Sequence, residues 1–519
     1  MQTINIAIVV VYLVAMLGFG WWGKSRTKNT SDYLVAGRRL GPLLYTGTMA
    51  AVVLGGASTV GGVGLGYTFG ISGMWLVVAI GTGVLLLSLL FAPTIQKLKI
   101  YTVSQMLTLR YGHEATKVSG IVMLAYTLML CATSTGAYAT IFVVLFGWDR
   151  ALSIALGGVI VLIYSTIGGM WSITLADMAQ FVIKTIGVFA LMLPFALASA
   201  GGFSGIAARS EAEFFSITGI GLQSIITYFV VYTLGLLIGQ DIWQRVFTSK
   251  TPVVARWGGA AAGVYCILYG VAGAVIGMAA SVILPNIESR DDVYADIAIN
   301  VLPIGVGGLV LAAAVAAMMS TASGALIAAA TVARTDVVPY VRSWFGRGPG
   351  IDPASDPEGS DAAAEDGHDV ASSRRWVLGL GIVTIALAIV VQDVVAALTI
   401  AYDILVGGLL VAILGGLVWK RGNGLGAGVS MAVGTTVTLA TMAYLEINAE
   451  NQYDGVYANE PIYYGLLASA AAYVLVSYAT PATSASVMAA WERRVAGILP
   501  DDDGAGPAGP PSSTGHRAR

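Results

Sequence analysis

Apolar residues run through this chain in long blocks, separated by short polar stretches, from Ile4 almost to residue 480. A helix that crosses a bilayer needs about 20 mostly apolar residues. Thirteen blocks suit that length, near 4–22, 43–69, 73–95, 117–146, 150–169, 174–199, 222–240, 254–283, 304–334, 375–391, 394–419, 424–445 and 461–480. Hydrocarbon offers no water to backbone groups, so each segment must pair its own N–H and C=O groups, which predicts helices. The alternation of a membrane β-barrel is absent. Block 4–22 is too long for the apolar stretch of a signal peptide and has no persuasive cleavage site, so it reads as a retained span.

Charges in the connecting loops alternate. Lys24, Arg26, Lys28, Arg38 and Arg39 follow the first block, and Lys97, Lys99, Arg110 and Lys117 follow the third. Arg245, Lys250 and Arg256 follow the seventh, Arg334, Arg342 and Arg347 the ninth, and Lys420 and Arg421 the eleventh. The opposite loops carry Glu288, Asp291, Asp292 and Asp296, or Glu446, Glu450, Asp454 and Glu460. Basic loops stay in the cytoplasm, which predicts an outside N-terminus and a cytoplasmic C-terminus. Residues 351–373 and the tail after Pro500, both rich in Asp, Pro, Gly, Ser and Ala, read as solvated disordered segments.

Composition narrows the class. The 519 residues are 56% hydrophobic and 11% charged, with mean hydropathy +0.79, too few charges to cover a soluble domain. The net charge of −2 and the lack of a basic stripe exclude a nucleic-acid partner. Cys131 and Cys266 lie in apolar blocks as small core side chains, and all three histidines lie in polar segments, so no histidine metal site is expected. Neither a phosphate-cradling G-x-x-x-x-G-K-[ST] nor an H-E-x-x-H motif is present. The chain therefore reads as neither an enzyme nor an ATP-driven pump, with no cofactor. Coupling to an ion gradient, or a channel, remains.

Three features could carry chemistry. The second block reads GTMAAVVLGGASTVGGVGLGYTFG (residues 47–70). Each glycine costs about 1 kcal/mol in a helix interior, so this density predicts unwound backbone, whose carbonyls suit a small cation and whose N–H groups suit an anion. A small-residue packing face between helices is the competing reading. The ninth block places Ser320, Thr321 and Ser323 deep in the bilayer, able to complete a sodium shell or merely to bond back to the preceding turn. Charges inside spans are costly. Asp177 and Asp403 are functional candidates on that ground, whereas Asp241 and Arg245 read as closing the seventh span at its cytoplasmic side, Arg245 as a surface or gating charge.

Four segments carry a family resemblance: DYLVAGRRLGP (32–42), YSTIGGMWSITLADMAQ (164–180), GQDIWQRVFTSK (239–250) and AAMMSTASGALIAAATVARTD (316–336). In this order the chain resembles the sodium:solute symporters, whose members include proline, pantothenate, sugar, monocarboxylate and choline carriers. The resemblance implies an all-α polytopic membrane protein, about thirteen transmembrane helices around a LeuT-like core of five plus five inverted repeats. Residues 1–30 would be a peripheral helix, 31–200 and 221–420 the two repeats, 421–485 two further peripheral helices, and 486–519 a disordered cytoplasmic tail. It implies symport of a small organic solute with sodium by alternating access.

The matched motifs place sodium ligands on the carbonyls of Ala51, Leu54 and Ala317 and the hydroxyls of Ser320 and Thr321, supported by Asp177. The family's proline carrier has an aspartate where this chain has Val53, and its choline carrier a tryptophan, so substrate contacts do not transfer. By position, the solute is expected against Thr48, Gly55, Gly56, Ser58, Thr135, Tyr138 and Tyr232, a lining with little acidity that suits a carboxylate or a zwitterion. A proton-coupled carrier using Asp403 or Asp177, and a membrane receptor that binds solute without moving it, are the rival readings.

Overall fold

The computed structural model describes residues 2–112, 116–344, 363–391 and 393–498. Regular structure among them is helical, apart from one isolated bridge between Leu40 and Ser249. Ten of the described helices are long and apolar enough to cross a membrane, or up to eleven when a pair bent by 44° is taken as one. Thirteen were expected. The difference arises because Ala57–Lys97 and Arg150–Ala200 each run as one stretch, of 41 and 51 residues.

The elements that position the site are α1 (Gln2–Arg26), α2 (Pro42–Val53), α3 (Gly62–Phe69), α4 (Trp75–Leu86), α5 (Thr116–Gly136) and α6 (Arg150–Thr185). They continue with α7 (Leu222–Leu236), α8 (Gln240–Thr248), α9 (Pro252–Ile283), α10 (Val306–Val332), α11 (Ala363–Val390) and α12 (Val394–Val418). Next come α13 (Gly424–Ile447), α14 (Glu460–Ala479) and α15 (Ala485–Ala496). Helix α10 is the hub. It is buried along its apolar length and packs against α5, α6, α1 and α11. Its run of Ala, Gly, Ser and Thr permits this, since small side chains let helix backbones approach where apolar burial alone gives no drive. By contrast α13 and α14 pack mainly on each other and expose most of their surface, as α1 does.

Two glycines redirect the chain. Gly70, at φ 64°, ends α3, and a Cβ on Gly73 would fall 2.4 Å from the Leu65 carbonyl carbon, so the backbone folds closely against α3 there. Gly169, at φ 56° and ψ −142°, kinks α6 in a region open essentially to glycine alone. Helix α1 crosses at this kink: the Ser172 hydroxyl donates to the Gly20 carbonyl at 2.8 Å, and Thr27 donates to that of Gly168 at 2.9 Å.

Two expected disordered segments are partly ordered. Of 351–373, residues 351–362 lie outside the described residues, but 363–373 open α11. Ala, Glu and Asp are compatible with a helix N-terminus, and the apolar span behind them propagates the helix. In the tail, 499–519 lie outside the described residues, whereas α15 is capped by Ser484 and closed by Gly497 at φ 89°. It docks by burying Trp491 and by an Arg494 Nε–H bond to the Leu98 carbonyl at 3.1 Å.

A side chain at Gly169 would meet the Tyr33 ring and carbonyl at 2.6 Å. Gly169→Val is therefore expected to cost at least about 1–3 kcal/mol in backbone strain alone. Thermal unfolding followed by size-exclusion chromatography should show a lower midpoint and less monodisperse protein.

Candidate functional site

The second apolar block is broken where its glycines meet α10. Helix α2 ends at Val53, Leu54 adopts φ −93° and ψ 79°, and helix resumes at Gly56 through a π-helical stretch, Ala57–Gly61. Close approach explains Gly55 and Gly56. A Cβ on Gly55 would lie 2.6 Å from Thr321 Oγ1 and 2.8 Å from Ser134 Oγ, and one on Gly56 would lie 2.4 Å from the Ala137 Cβ. Further along, Gly66 would meet the Ala274 carbonyl oxygen at 2.5 Å, so the later glycines form the packing face against α9. Both readings of the glycine-rich block hold, each over its own part.

The break frees carbonyls, and α10 and α6 supply the donors. Ser320 Oγ donates to Ala51 O at 2.7 Å and to Ala317 O at 2.9 Å, and Thr321 Oγ1 donates to Val52 O at 2.6 Å. Of the expected oxygens, those of Ala51, Ala317 and Ser320 are joined directly, whereas Thr321 reaches the break at the Val52 carbonyl. A further residue, passed over in the sequence, completes the cluster. The fully buried Lys184 donates from Nζ to Ala51 O at 2.9 Å and to Leu54 O at 3.2 Å. It lies on α6, two turns after Asp177. The signal was legible: a lone lysine within the apolar run QFVIKTIGVFAL is as costly as the aspartates that were singled out.

Asp177 anchors a second cluster. Its Oδ2 accepts from Thr48 Oγ1 at 2.5 Å and from Arg245 Nη2 at 2.9 Å, tying α2, α6 and α8 together. Arg245 is therefore a buried ion-pair partner, not a surface charge; its side chain is 1% exposed. The reason is packing: α8 packs against α2 and α10, and a Cβ on Gly324 would come within 3.1 Å of Arg245 Nη2. Breaking such a pair costs roughly 3–5 kcal/mol, because the remaining charge is stranded.

Beside the break lies a cavity of about 20 Å³, room for about one water. Its wall includes Val53, Gly55, Gly56, Ser58, Thr133, Ser134, Asp241, Thr321, Leu398 and Tyr402. Of the expected solute contacts, Gly55, Gly56 and Ser58 are present. Thr48 is absent, committed to Asp177. Thr135 bonds back to Cys131 O at 2.8 Å with its methyl toward Gly158, and Tyr138 packs on Gly157 of α6. The register on α5 is shifted, so that Thr133 and Ser134 face the cavity instead. Tyr232 stands one layer out, its ring 5.3 Å from that of Tyr402 and its hydroxyl 3.0 Å from Thr399 Oγ1.

Asp241 corrects both its own expected place and the expected lack of acidity. The pair α7 and α8 bends by 44° just before it, which turns its carboxylate into the cavity wall, where Oδ1 accepts from Tyr126 at 2.8 Å. Asp403 is buried next to Tyr402, but it is not part of this wall, and its Oδ1 has no partner among the described residues. No group of three or more His, Cys, Asp or Glu side chains placed to hold a metal ion occurs among the described residues.

Known proteins share this fold. The profile described as Sodium:solute symporter family matches residues 33–344. The osmoregulated proline transporter OpuE of Bacillus subtilis (strain 168) is 26% identical over 455 residues, 83% of this chain and 87% of that one. A sodium/proline symporter of Staphylococcus aureus (strain JH9) is 24% identical over 360 residues, 64% of this chain and 68% of its own. Among solved structures, a substrate-bound, outward-open Na+-coupled sialic acid symporter superposes with TM-score 0.70 at 20% identity, covering 93% of this chain and 99% of that one. The nucleobase-cation-symport-1 transporter MHP1, in a closed conformation, gives TM-score 0.50 at 17% identity, over 90% and 99%. These likenesses establish the LeuT-like fold of a multi-pass plasma-membrane protein. The chain belongs to the sodium:solute symporter family, whose coupling ion is sodium, and is a secondary active transporter of a small organic solute, not an enzyme.

Proposed function

We propose that the solute is a small zwitterionic amino acid, its ammonium on Asp241 and its carboxylate on the helix that restarts at Gly56. The observation that carries this reading is a buried carboxylate and the start of a half-helix on the wall of one cavity, which is closed to about one water's volume here and widens as the closures part to admit a solute. The N-terminal end of a helix carries partial positive charge and free N–H groups, which favour an anion. Ile80, Leu130, Leu398 and Tyr402 leave an apolar wall for an aliphatic side chain or ring. The proline carriers among the relatives belong to the same solute class.

Ala51, Leu54, Ala317, Ser320 and Thr321 form the coupling-cation site, with Asp177 as its support. Sodium is a co-substrate there. The molecule crosses the membrane thirteen times, since runs of 41 and 51 residues are each too long for one crossing and each contains a glycine at positive φ. With the N-terminus outside, residues 31–200 and 221–420 are the inverted repeats, and 1–30 and 421–485 are peripheral. Access then alternates between two closures. On the cytoplasmic side Thr48, Asp177 and Arg245 join, and the ends of α2 and α8 pair through Leu40 N–H to Thr248 O at 3.0 Å and Lys250 N–H to Leu40 O at 2.9 Å. On the outer side Arg290 and Asp393 lie 3.5 Å apart, and both bond to the Tyr457 hydroxyl, at 2.8 and 2.6 Å.

Uptake into proteoliposomes tests the reading. Asp241→Asn should weaken uptake of proline or a similar amino acid about 10- to 100-fold, the worth of a charge-assisted hydrogen bond. A solute lacking the amino group should be affected far less, and equal losses for both would refute the assignment. Ser320→Ala combined with Thr321→Ala should abolish sodium-stimulated uptake while leaving insertion intact, read by sodium titration of the initial rate. Arg245→Met should destabilise by roughly 3–5 kcal/mol, and Arg245→Met with Asp177→Leu by less than the two single changes summed, as measured by thermal unfolding.

A further inference from the structure

Lys184 changes what the cation site is. Its ammonium donates to two of the three backbone carbonyls assigned to the coupling cation, those of Ala51 and Leu54. The third assigned carbonyl, Ala317 O, accepts from Ser320, which also donates to Ala51 O. Each of the three thus already faces a proton donor of the chain. An ion ligated by Ala51 O and Leu54 O would lie in contact with a positive charge in a buried site, where two unit charges a few ångströms apart repel strongly. The surrounding charges offer no relief. Asp177 is engaged by Arg245, and Asp177, Asp241, Lys184 and Arg245 already sum to zero formal charge.

We infer that the Lys184 ammonium and the coupling sodium ion are alternative occupants of one site: the lysine is a tethered cation that holds the broken helix when sodium is absent, and sodium binds there as the lysine withdraws. The inference rests on the cation-site assignment made above. The long flexible stem of lysine allows the exchange. Asp177 gives the displaced head somewhere to go: it lies two turns earlier on α6, the direction in which helical side chains lean, and its Oδ1 has no partner among the described residues. Sodium binding would then release an internal contact between α6 and the break, so ion entry and movement of α6 relative to α2 become one event. A neutral donor at position 184 could bond the same carbonyls, but it would not exclude an ion.

The test is sodium-induced thermal stabilisation of the purified full-length protein, with N-methylglucamine chloride holding ionic strength constant. Lys184→Met should reach half-maximal stabilisation at a sodium concentration at least about tenfold below that of the unmodified protein, because the competing charge is gone. Lys184→Arg, which keeps the charge, should not show this gain. Adding Ser320→Ala to Lys184→Met should remove the gained response, placing it at this site. Should Lys184→Met misfold, Lys184→Gln retains a donor for the carbonyls and carries the same expectation. An unchanged sodium midpoint in the neutral variants, or loss of a response that the unmodified protein shows, would overturn the inference. Stabilisation by proline, measured in parallel, keeps the two readings apart: if proline has no effect while the sodium midpoint shifts, only the amino-acid assignment fails.

Discussion

A helix interrupted in the middle of a bilayer leaves carbonyls that its own backbone no longer pairs, and the interior of this carrier is organised around satisfying them. A buried carbonyl without a donor costs on the order of 1–3 kcal/mol. Those at the end of α2 are met by Ser320, Thr321 and Lys184, from α10 and α6. This need explains why α10 is built of small residues and is buried from Val310 to Val332. Its hydroxyls must come within hydrogen-bond distance of another helix's main chain, which bulkier neighbours would prevent. The glycines at 55 and 56 answer the same demand from the other side, since any side chain there would strike Thr321, Ser134 or Ala137.

The buried charges follow a similar logic. Arg245 and Asp177 sit in a region without solvent and are tolerated because they face each other, with Thr48 sharing the carboxylate. A buried pair of this kind adds little net stability compared with apolar packing, but it strongly penalises separation. That asymmetry suits a closure joining α2, α6 and α8: parting them strands two charges unless water enters with the movement. Asp241, one turn before Arg245 on the same helix, spends its negative charge differently. It lines the cavity and accepts from the neutral Tyr126 hydroxyl, which leaves its charge able to meet a cationic group.

Much of this was legible in the sequence because hydrocarbon imposes few solutions. Apolar block length marked most of the spanning helices, glycine density located the break, and the hydroxyl pair singled out on α10 lies against the end of α2, on the Ala51 and Val52 carbonyls. Four things were missed. Helix phase on α5 was unreadable, because that span carries Thr133, Ser134 and Thr135 in succession and only packing decides which of them point inward. The place of Asp241 depended on the 44° bend before it, which a hydropathy profile reads as the end of a span. Lys184 was overlooked through attention to carboxylates, although the same desolvation argument applies to an ammonium. The helical starts of α11 and α15 were masked by composition: acidic and alanine-rich sequence looks solvated until a neighbouring span or a buried tryptophan gives it something to continue from or pack against.

The proposed solute cavity and the proposed cation site are not two separate places. Gly55 and Thr321 line the cavity, while the carbonyls just before Gly55 hold Lys184 and the hydroxyl of Thr321 holds Val52 O. An occupant of the cavity presses on the residues whose main chain forms the cage, so the two equilibria share a boundary only a few residues wide. Coupling between sites needs an element that both bias, and it acts equally in both directions. Here that element is the break itself. A solute that orders residues 54–57 fixes the direction of the Ala51 and Leu54 carbonyls, and a cation that gathers those carbonyls shapes the wall the solute meets. The chain needs no relay across the molecule for one gradient to drive another, because the segment that was too glycine-rich to remain a helix borders both sites.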